Sequence, residues 1–209
     1  MKLPKDVIVI GNSKKIINIL YEIYYNSAIT VFNWRKKNNL NKKINYNNLD
    51  IYLCGFDYES VKYDYKKFIN INVENQINFL KKFLIYSPRI FYINTEQNKK
   101  KYTYSRYKFA KSMLNYKLYK ISKKLKTINV PVICIDDKPQ IYGSKIISFI
   151  FYILIKMNLI NKINTKALKK KIFTLINTDI YKVPKKIVGK NIKYPRTLIV
   201  DRMLRLLYG

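Results

Sequence analysis

Apolar residues in this chain alternate between short continuous runs and stretches where they recur at helical spacing. "DVIVIG" is a run closed by Gly11, and "NSKKIINILYEIYY" after it sets Ile16, Ile19, Leu20 and Ile23 three and four apart. A continuous run of that length predicts a strand buried on both faces, and the spacing behind it predicts a helix, so the chain opens a βαβ unit at about Asp6. "AITVFNW" reads as a second strand and "LDIYLCG" as a third, with a polar connector rich in Asn and Lys from Arg35 to Asn48 between them.

The alternation continues. A helix is expected from about Val73 to Phe83, with Ile77, Leu80 and Leu84 on one side, leading through Pro88 into the strand "RIFYIN". Another helix follows, capped by Ser105 and running to about Leu125, and Pro131 introduces the strand "VPVICID". Strands alternating with helices point to an α/β protein with a doubly wound parallel sheet over residues 1–145 and a smaller, mostly helical portion over 146–209. The segment Ile146 to Ile155, "IISFIFYILI", is the most apolar of all. A membrane-spanning helix needs about 20 such residues, so this length favours a buried helix, with a subunit interface or a membrane-surface contact as the other readings. Thr197 to Tyr208 reads as a last helix that docks on the domain or on a second copy.

Composition narrows the chemistry. The 209 residues carry 42 Lys and Arg against 12 Asp and Glu, a formal charge of +30 that favours anionic partners: nucleotides, nucleic acid or an acidic membrane surface. Arg forks, the usual tool of base reading, are scarce among those cations, so solvated lysines explain much of the charge. The chain has no histidine, which removes Ser-His-Asp and Cys-His systems and His-ligated metals. Cys54 and Cys134 lie far apart near strand ends and read as buried free thiols in a reducing compartment. With the first strand starting near Asp6 there is no room for a cleaved leader, and the expected location is cytoplasmic.

One constellation stands out. Tyr107 and Lys111 sit at i and i+4 on one face of the helix after "RIFYIN", and Thr95 ends that strand twelve residues before the tyrosine. Hydroxyl, phenol and ammonium together suit proton transfer. The same Tyr and Lys spacing recurs at Tyr58, Tyr63, Tyr104, Tyr116 and Tyr119 among others, but Tyr107 alone of these combines Ala110 just before its lysine with the strand-terminal threonine. The plain alternative is an amphipathic helix with a lysine on its rim.

In this order the segments resemble the short-chain dehydrogenase/reductase superfamily, in its extended branch, the NAD-dependent epimerase/dehydratase family. "DVIVIG" looks like the first strand, "LDIYLCG" like the strand flanking the cofactor, and "NVENQINFLKKF" like the helix "NVxGTxNLLEA". "RIFYINT" is similar to the strand carrying the catalytic Ser or Thr, "YKFAK" to the tyrosine and lysine motif, and "PVICIDDKPQIYG" to the strand ending "RPxNVYG". "FTLINTDIYKVPKKI" is a fainter match to "VHVDDVAxAI".

The resemblance implies a Rossmann-like fold and a cytoplasmic NAD- or NADP-dependent epimerase, dehydratase or reductase acting on a nucleotide sugar, as in polysaccharide biosynthesis. Tyr107 would be the acid/base, Lys111 would hold the nicotinamide ribose and lower the tyrosine pKa, and Thr95 would hydrogen-bond the substrate oxygen. A phenol titrates near 10, so a base useful at neutral pH needs a shift of about three units, roughly 4 kcal/mol, which a close ammonium and a cationic nicotinamide together would supply. Gly11, Asn12, Ser13, Lys14, Arg35, Cys54, Gly55 and Lys111 would line the cofactor.

The departures are specific. The phosphate turn reads "GNSKKII", with Lys14 and Ile17 where the family has its second and third glycines. The NAD-selective acid after the second strand is absent and Trp34, Arg35 and Lys36 stand there, which favours a 2′-phosphate. "DDKP" replaces "RPxN", and the substrate-side portion is short for this branch. A catalytically inactive scaffold or RNA-binding descendant of the same fold is the rival reading, and a homodimer is a further expected partner.

Overall fold

The computed structural model describes residues 6–35, 48–57, 59–95, 106–122, 125–130, 134–135, 138–139, 145–157 and 163–178. Five parallel strands make one sheet: β1 (Asp6–Ile10), β2 (Ala28–Phe32), β3 (Asp50–Leu53), β4 (Arg89–Thr95) and β5 (Leu125–Val130), in the order β2-β1-β3-β4-β5. The register runs Val7 to Ile29 and to Asp50, Ile51 to Ile90, and Ile90 to Leu125. The chain leaves β2 on one side of β1 and re-enters at β3 on the other. The carboxyl ends of β1 and β3 therefore part at a topological switch point, the place where such sheets bind ligands.

Alternation along each strand builds two apolar layers, as a sheet covered on both faces requires. Val7 and Val9 of β1 join Tyr52, Phe91, Ile93 and Ile128 on the face covered by α1 (Lys14–Ile23) and α6 (Thr165–Asn177). Ile8 and Ile10 join Ile51, Leu53, Ile90 and Tyr92 on the other face, under α2 (Tyr65–Ile69), α3 (Asn75–Lys81) and α4 (Arg106–Ile121). Leu168, Ile172 and Ile176 of α6 are almost wholly buried in the first of these layers, with Val7 and Val9. Each contributes about 1.5–3 kcal/mol of burial, so this segment belongs to the main core.

The helix expected from Val73 starts earlier, at Tyr65, where the Asp64 side chain accepts the Lys67 N–H at 2.9 Å. Asn70–Glu74 form a π turn between α2 and α3. Side-chain donors enter the ladder here: Asn72 Nδ2 donates to Phe68 O at 3.1 Å and Gln76 Nε2 to Asn72 O at 2.9 Å, a known cause of local widening.

Three further expectations are corrected. α4 ends at Ile121 rather than near Leu125, because Leu125 already pairs with Ile90 as the start of β5. The fifth parallel strand thus precedes Pro131; beyond it Cys134–Ile135 (β6) pairs with Lys138–Pro139 (β7), antiparallel, in a separate two-stranded sheet. The apolar run Ile146 to Ile155 forms α5 (Lys145–Lys156), and its described side chains are not the buried ones expected: Phe149 is 62 % and Ile150 44 % exposed. The place on the sheet beside α1 is taken by α6. Ser105 and the helix expected at Thr197 to Tyr208 lie outside the described residues. No helix among the described residues is long and apolar enough to cross a membrane.

A polar cluster closes the opposite end of the sheet. Arg89 reaches Asp50 through Nε at 2.6 Å and Nη2 at 2.8 Å, and Tyr24 donates its hydroxyl to Asp50 at 2.6 Å. Tyr24 has one proton and gives it to Asp50, so Tyr52 is the donor in the 2.7 Å contact between the two phenols. Arg89 also donates to Ile176 O at 3.2 Å, and Lys126 donates to Leu175 O and Thr178 O. These two cations satisfy the last carbonyls of α6 and sit at the negative end of its dipole.

Candidate functional site

At the switch point Gly11 has φ +133°, and a Cβ there would lie 2.5 Å from the Gly55 nitrogen, so the turn after β1 and the turn after β3 meet backbone to backbone. Gly11 N–H donates to Phe32 O at 2.9 Å and Cys54 N–H to Ile10 O at 3.0 Å, which fixes the three strand ends together. α1 starts directly behind. Its N-cap Ser13 makes no side-chain cap and no acid stands in the first turn, where Lys14 and Lys15 lie. The first-turn N–H groups and the helix dipole thus face the switch point with positive charge beside them, an arrangement suited to an anion. Asn12 and Lys14 are exposed, whereas Ile17, in the place of a family glycine, is buried between α1 and the sheet.

Lys111, on the second turn of α4, is 5 % exposed, and its ammonium donates to Ile93 O at 3.2 Å. The amine therefore sits at the carboxyl end of β4, among the rings of Tyr92 (5.1 Å), Phe56 (5.9 Å) and Tyr107 (6.0 Å). The Tyr92 hydroxyl donates to the Lys111 carbonyl at 3.1 Å and so pins this turn of α4 to β4. Burial lowers the Lys111 pKa to about 8, with Cys54 acting the other way. Burial likewise pushes the Cys54 thiol up to about 11, against the Ser13 backbone amide and Lys111, so the sulfur is a neutral thiol at neutral pH.

Tyr107 is half-buried one turn earlier, its ring meeting Phe56 edge-on at 4.5 Å. Thr95 closes β4 opposite Val130. The backbone of the Thr95 strand end, Tyr107, Lys111, Cys54, Gly55 and Gly11 thus share one end of the sheet.

Arg35 lies apart from them. Its guanidinium pairs with Asp57 at 3.2 Å and stands 5.6 Å from the Trp34 ring. Trp34 covers Gly55 so closely that a Cβ there would meet its Cζ3 at 2.0 Å, and its Nε1 donates to Ile71 O at 3.0 Å. Asp57 is itself held, its N–H donating to Asn72 Oδ1 at 2.7 Å and its carbonyl accepting from Ser60. Phe56 and Asp57 were not expected from the sequence; the signal available was their place directly behind the Cys54-Gly55 turn.

No group of three or more His, Cys, Asp or Glu among the described residues could hold a metal ion. What the site offers is a helix end suited to an anion, a buried amine and a phenol at the ends of parallel strands.

No family model and no curated protein sequence matches the chain. Solved structures do. The chain is similar to a dTDP-4-dehydrorhamnose reductase from Bacillus anthracis str. Ames in complex with NADP, with 14 % identity and a TM-score of 0.57 over 87 % of this chain and 74 % of that one. It is also similar to RMD from Pseudomonas aeruginosa complexed with NADPH, at 10 % identity and a TM-score of 0.51 over 84 % and 74 %. L-threonine dehydrogenase from Phytophthora infestans matches at 11 % identity and a TM-score of 0.53 over 82 % and 72 %. At these identities the likeness establishes the Rossmann-like fold.

Proposed function

We propose that this chain is an NAD(P)-dependent reductase, epimerase or dehydratase of the extended short-chain dehydrogenase/reductase type, acting on a nucleotide sugar in the cytoplasm. The observation that carries the reading is the buried Lys111 ammonium beside the Tyr107 ring, at the carboxyl ends of β3 and β4. A buried amine costs stability, and a perturbed titratable group in such a place points to function. Two of the structural relatives carry NADP or NADPH.

The residues fit such a cofactor by their donor chemistry. The uncapped N-terminus of α1, with Lys14 and Lys15, suits a pyrophosphate, and Lys111 suits the hydroxyls of a ribose. When bound, the nicotinamide supplies the hydride acceptor or donor. The protein side of the work is proton transfer: Tyr107 gives or takes the substrate hydroxyl proton at its phenol oxygen, and the Lys111 charge favours the phenolate. Thr95 is assigned to orient the substrate oxygen.

Titration of NADPH and NADH into the purified protein by calorimetry, with Lys14→Gly beside it, tests the reading. Saturable binding with NADPH-dependent reduction of a nucleotide-linked ketosugar, falling by about 10²–10⁴ in Tyr107→Phe, is the expected result. No binding in either protein overturns it.

A second reading, a catalytically inactive relative that scaffolds partners or binds RNA, draws on the +30 charge and on Trp34 lying over Gly55. Under that reading dinucleotide binding is absent, and RNA binding weakens with salt by about 0.7 log units per log unit of salt for each phosphate neutralised.

A further inference from the structure

Alternation along β4 separates its side chains. Phe91 and Ile93 enter the layer beneath α1 and α6, while Tyr92 enters the layer beneath α3 and α4. Asn94 is next in the Tyr92 row, at the carboxyl end of the strand. It is 3 % exposed, and its Oδ1 has no hydrogen-bond partner. The peptide unit joining Ile93 to Asn94 is the one that Lys111 holds, since Ile93 O accepts the ammonium at 3.2 Å. Opposite it α4 buries Ala110, Lys111 and Leu114.

Three local preferences are broken at this residue. Asn is a poor strand former, a buried position favours an apolar side chain, and a buried amide oxygen left unpaired carries its full desolvation penalty. Two other buried amides use their oxygens, Asn72 Oδ1 accepting from Asp57 N–H and Asn115 Oδ1 from the Thr127 hydroxyl; Gln76 Oε1 is unpartnered like Asn94 Oδ1, but its Nε2 donates to Asn72 O of the π turn. An orphaned acceptor on the residue directly after the carbonyl that holds the buried amine is what a site lacking its ligand presents.

We propose that Asn94 is a ligand-contacting residue of the proposed site, its Oδ1 accepting a hydrogen bond from a hydroxyl or amide N–H of the molecule bound beside Lys111 and Tyr107. The donor is a hydroxyl of the sugar or the carboxamide of the nicotinamide, and the assignment rests on the functional reading above. Tyr107 and Lys111 both offer donors, and Asn94 adds the buried acceptor that sets the ligand's orientation.

Asn94→Leu, of similar size and without polar atoms, separates this from a structural role. The measurements are the melting temperature of the unliganded protein and the affinities for NADPH and, in the presence of NADPH, for UDP-glucose and dTDP-glucose, with Asn94→Ala measured in parallel should the leucine variant fail to fold. The expected result is an unliganded protein at least as heat-stable as the wild type, with affinity for one of these ligands about 10-fold weaker, the size of one lost neutral hydrogen bond. Loss in the NADPH arm identifies the carboxamide, and loss confined to a sugar arm identifies the hydroxyl. Unchanged affinity for every ligand that the wild type binds overturns the assignment and leaves the functional reading standing. A wild type that binds none of them overturns both.

Discussion

Gly11 and Gly55 touch across the switch point, with the added Cβ of Gly11 falling 2.5 Å from Gly55 N and that of Gly55 falling 2.9 Å from Gly11 Cα. Neither contact has a flexible partner that can give way. Gly11→Ala adds strain from its positive φ, so it is expected to cost about 1–3 kcal/mol in urea unfolding from the backbone alone. Gly55→Ala collides with the Trp34 ring and costs about 1–3 kcal/mol through overpacking. Adding Trp34→Leu to Gly55→Ala recovers part of that loss in a double-mutant cycle; strict additivity would show that the ring is not what forbids the methyl group.

Lys111 gives a prediction whose sign depends on pH. Its folded pKa, about 8, lies below the ordinary lysine value of 10.5. The charged form is thus penalised by the fold, by about 3 kcal/mol when both states are protonated, below pH 8. Between pH 8 and 10.5 the unfolded chain binds more protons than the folded one, so stability from this group rises with pH across that window. Lys111→Met is expected to be more stable than the wild type at pH 7, with the advantage shrinking toward pH 10.5, while dinucleotide binding is lost. A methionine variant that is less stable at pH 7 would contradict this.

The Asp50 cluster is held differently. Burial pushes the Asp50 carboxyl up, while the bidentate Arg89 and the Tyr24 hydroxyl pull it back toward ionisation. Removing one partner leaves the other buried and uncompensated, so Arg89→Met is expected to cost about 3–5 kcal/mol. Because Arg89 also holds Ile176 O, the amides of α6 should exchange with deuterium faster than those of α4 in Arg89→Met. Tyr24→Phe, which removes one hydroxyl from the cluster, should cost about 1–3 kcal/mol and leave α6 protected.

Much of this architecture was readable in the sequence because the relevant forces are local. β1, α1, β2, β3 and β4 follow from apolar runs and helical spacing, and Tyr107 and Lys111 share a helix face by spacing alone. What escaped depends on partners distant along the chain. α5 reads as core by its own composition, yet α6, with fewer apolar residues, is the helix that lies beside α1, its Leu168, Ile172 and Ile176 in one buried stripe and its end held by Arg89 and Lys126. "LKTINV" does not read as a strand because Lys126 interrupts the apolar run; that lysine is buried and donates to α6 carbonyls, which no local pattern announces. Asn94, by contrast, was visible as one amide in an apolar strand, and only its burial and missing partner distinguish it from a strand-end residue.

Arg35 carries the last prediction, which concerns cofactor choice under the proposed function. Its guanidinium is 41 % exposed and paired with the mostly buried Asp57 at 3.2 Å. An exchange of partners would let the fork meet a 2′-phosphate, for which its geometry and permanent charge are suited. Asp57 therefore competes with the phosphate for the same group. Arg35→Ala is expected to weaken NADPH about tenfold and to leave NADH within about twofold, since the second ligand has no phosphate for the fork to meet. Asp57→Asn keeps the Glu59 N–H contact to the side-chain oxygen and the backbone bonds to Asn72 and Ser60, and removes the negative charge that holds the guanidinium, so NADPH should bind more tightly in this variant while NADH is unchanged. Calorimetric titration of both variants with both dinucleotides separates the outcomes: equal effects on NADPH and NADH would mean that Arg35 supports the Trp34 wall and does not read the phosphate.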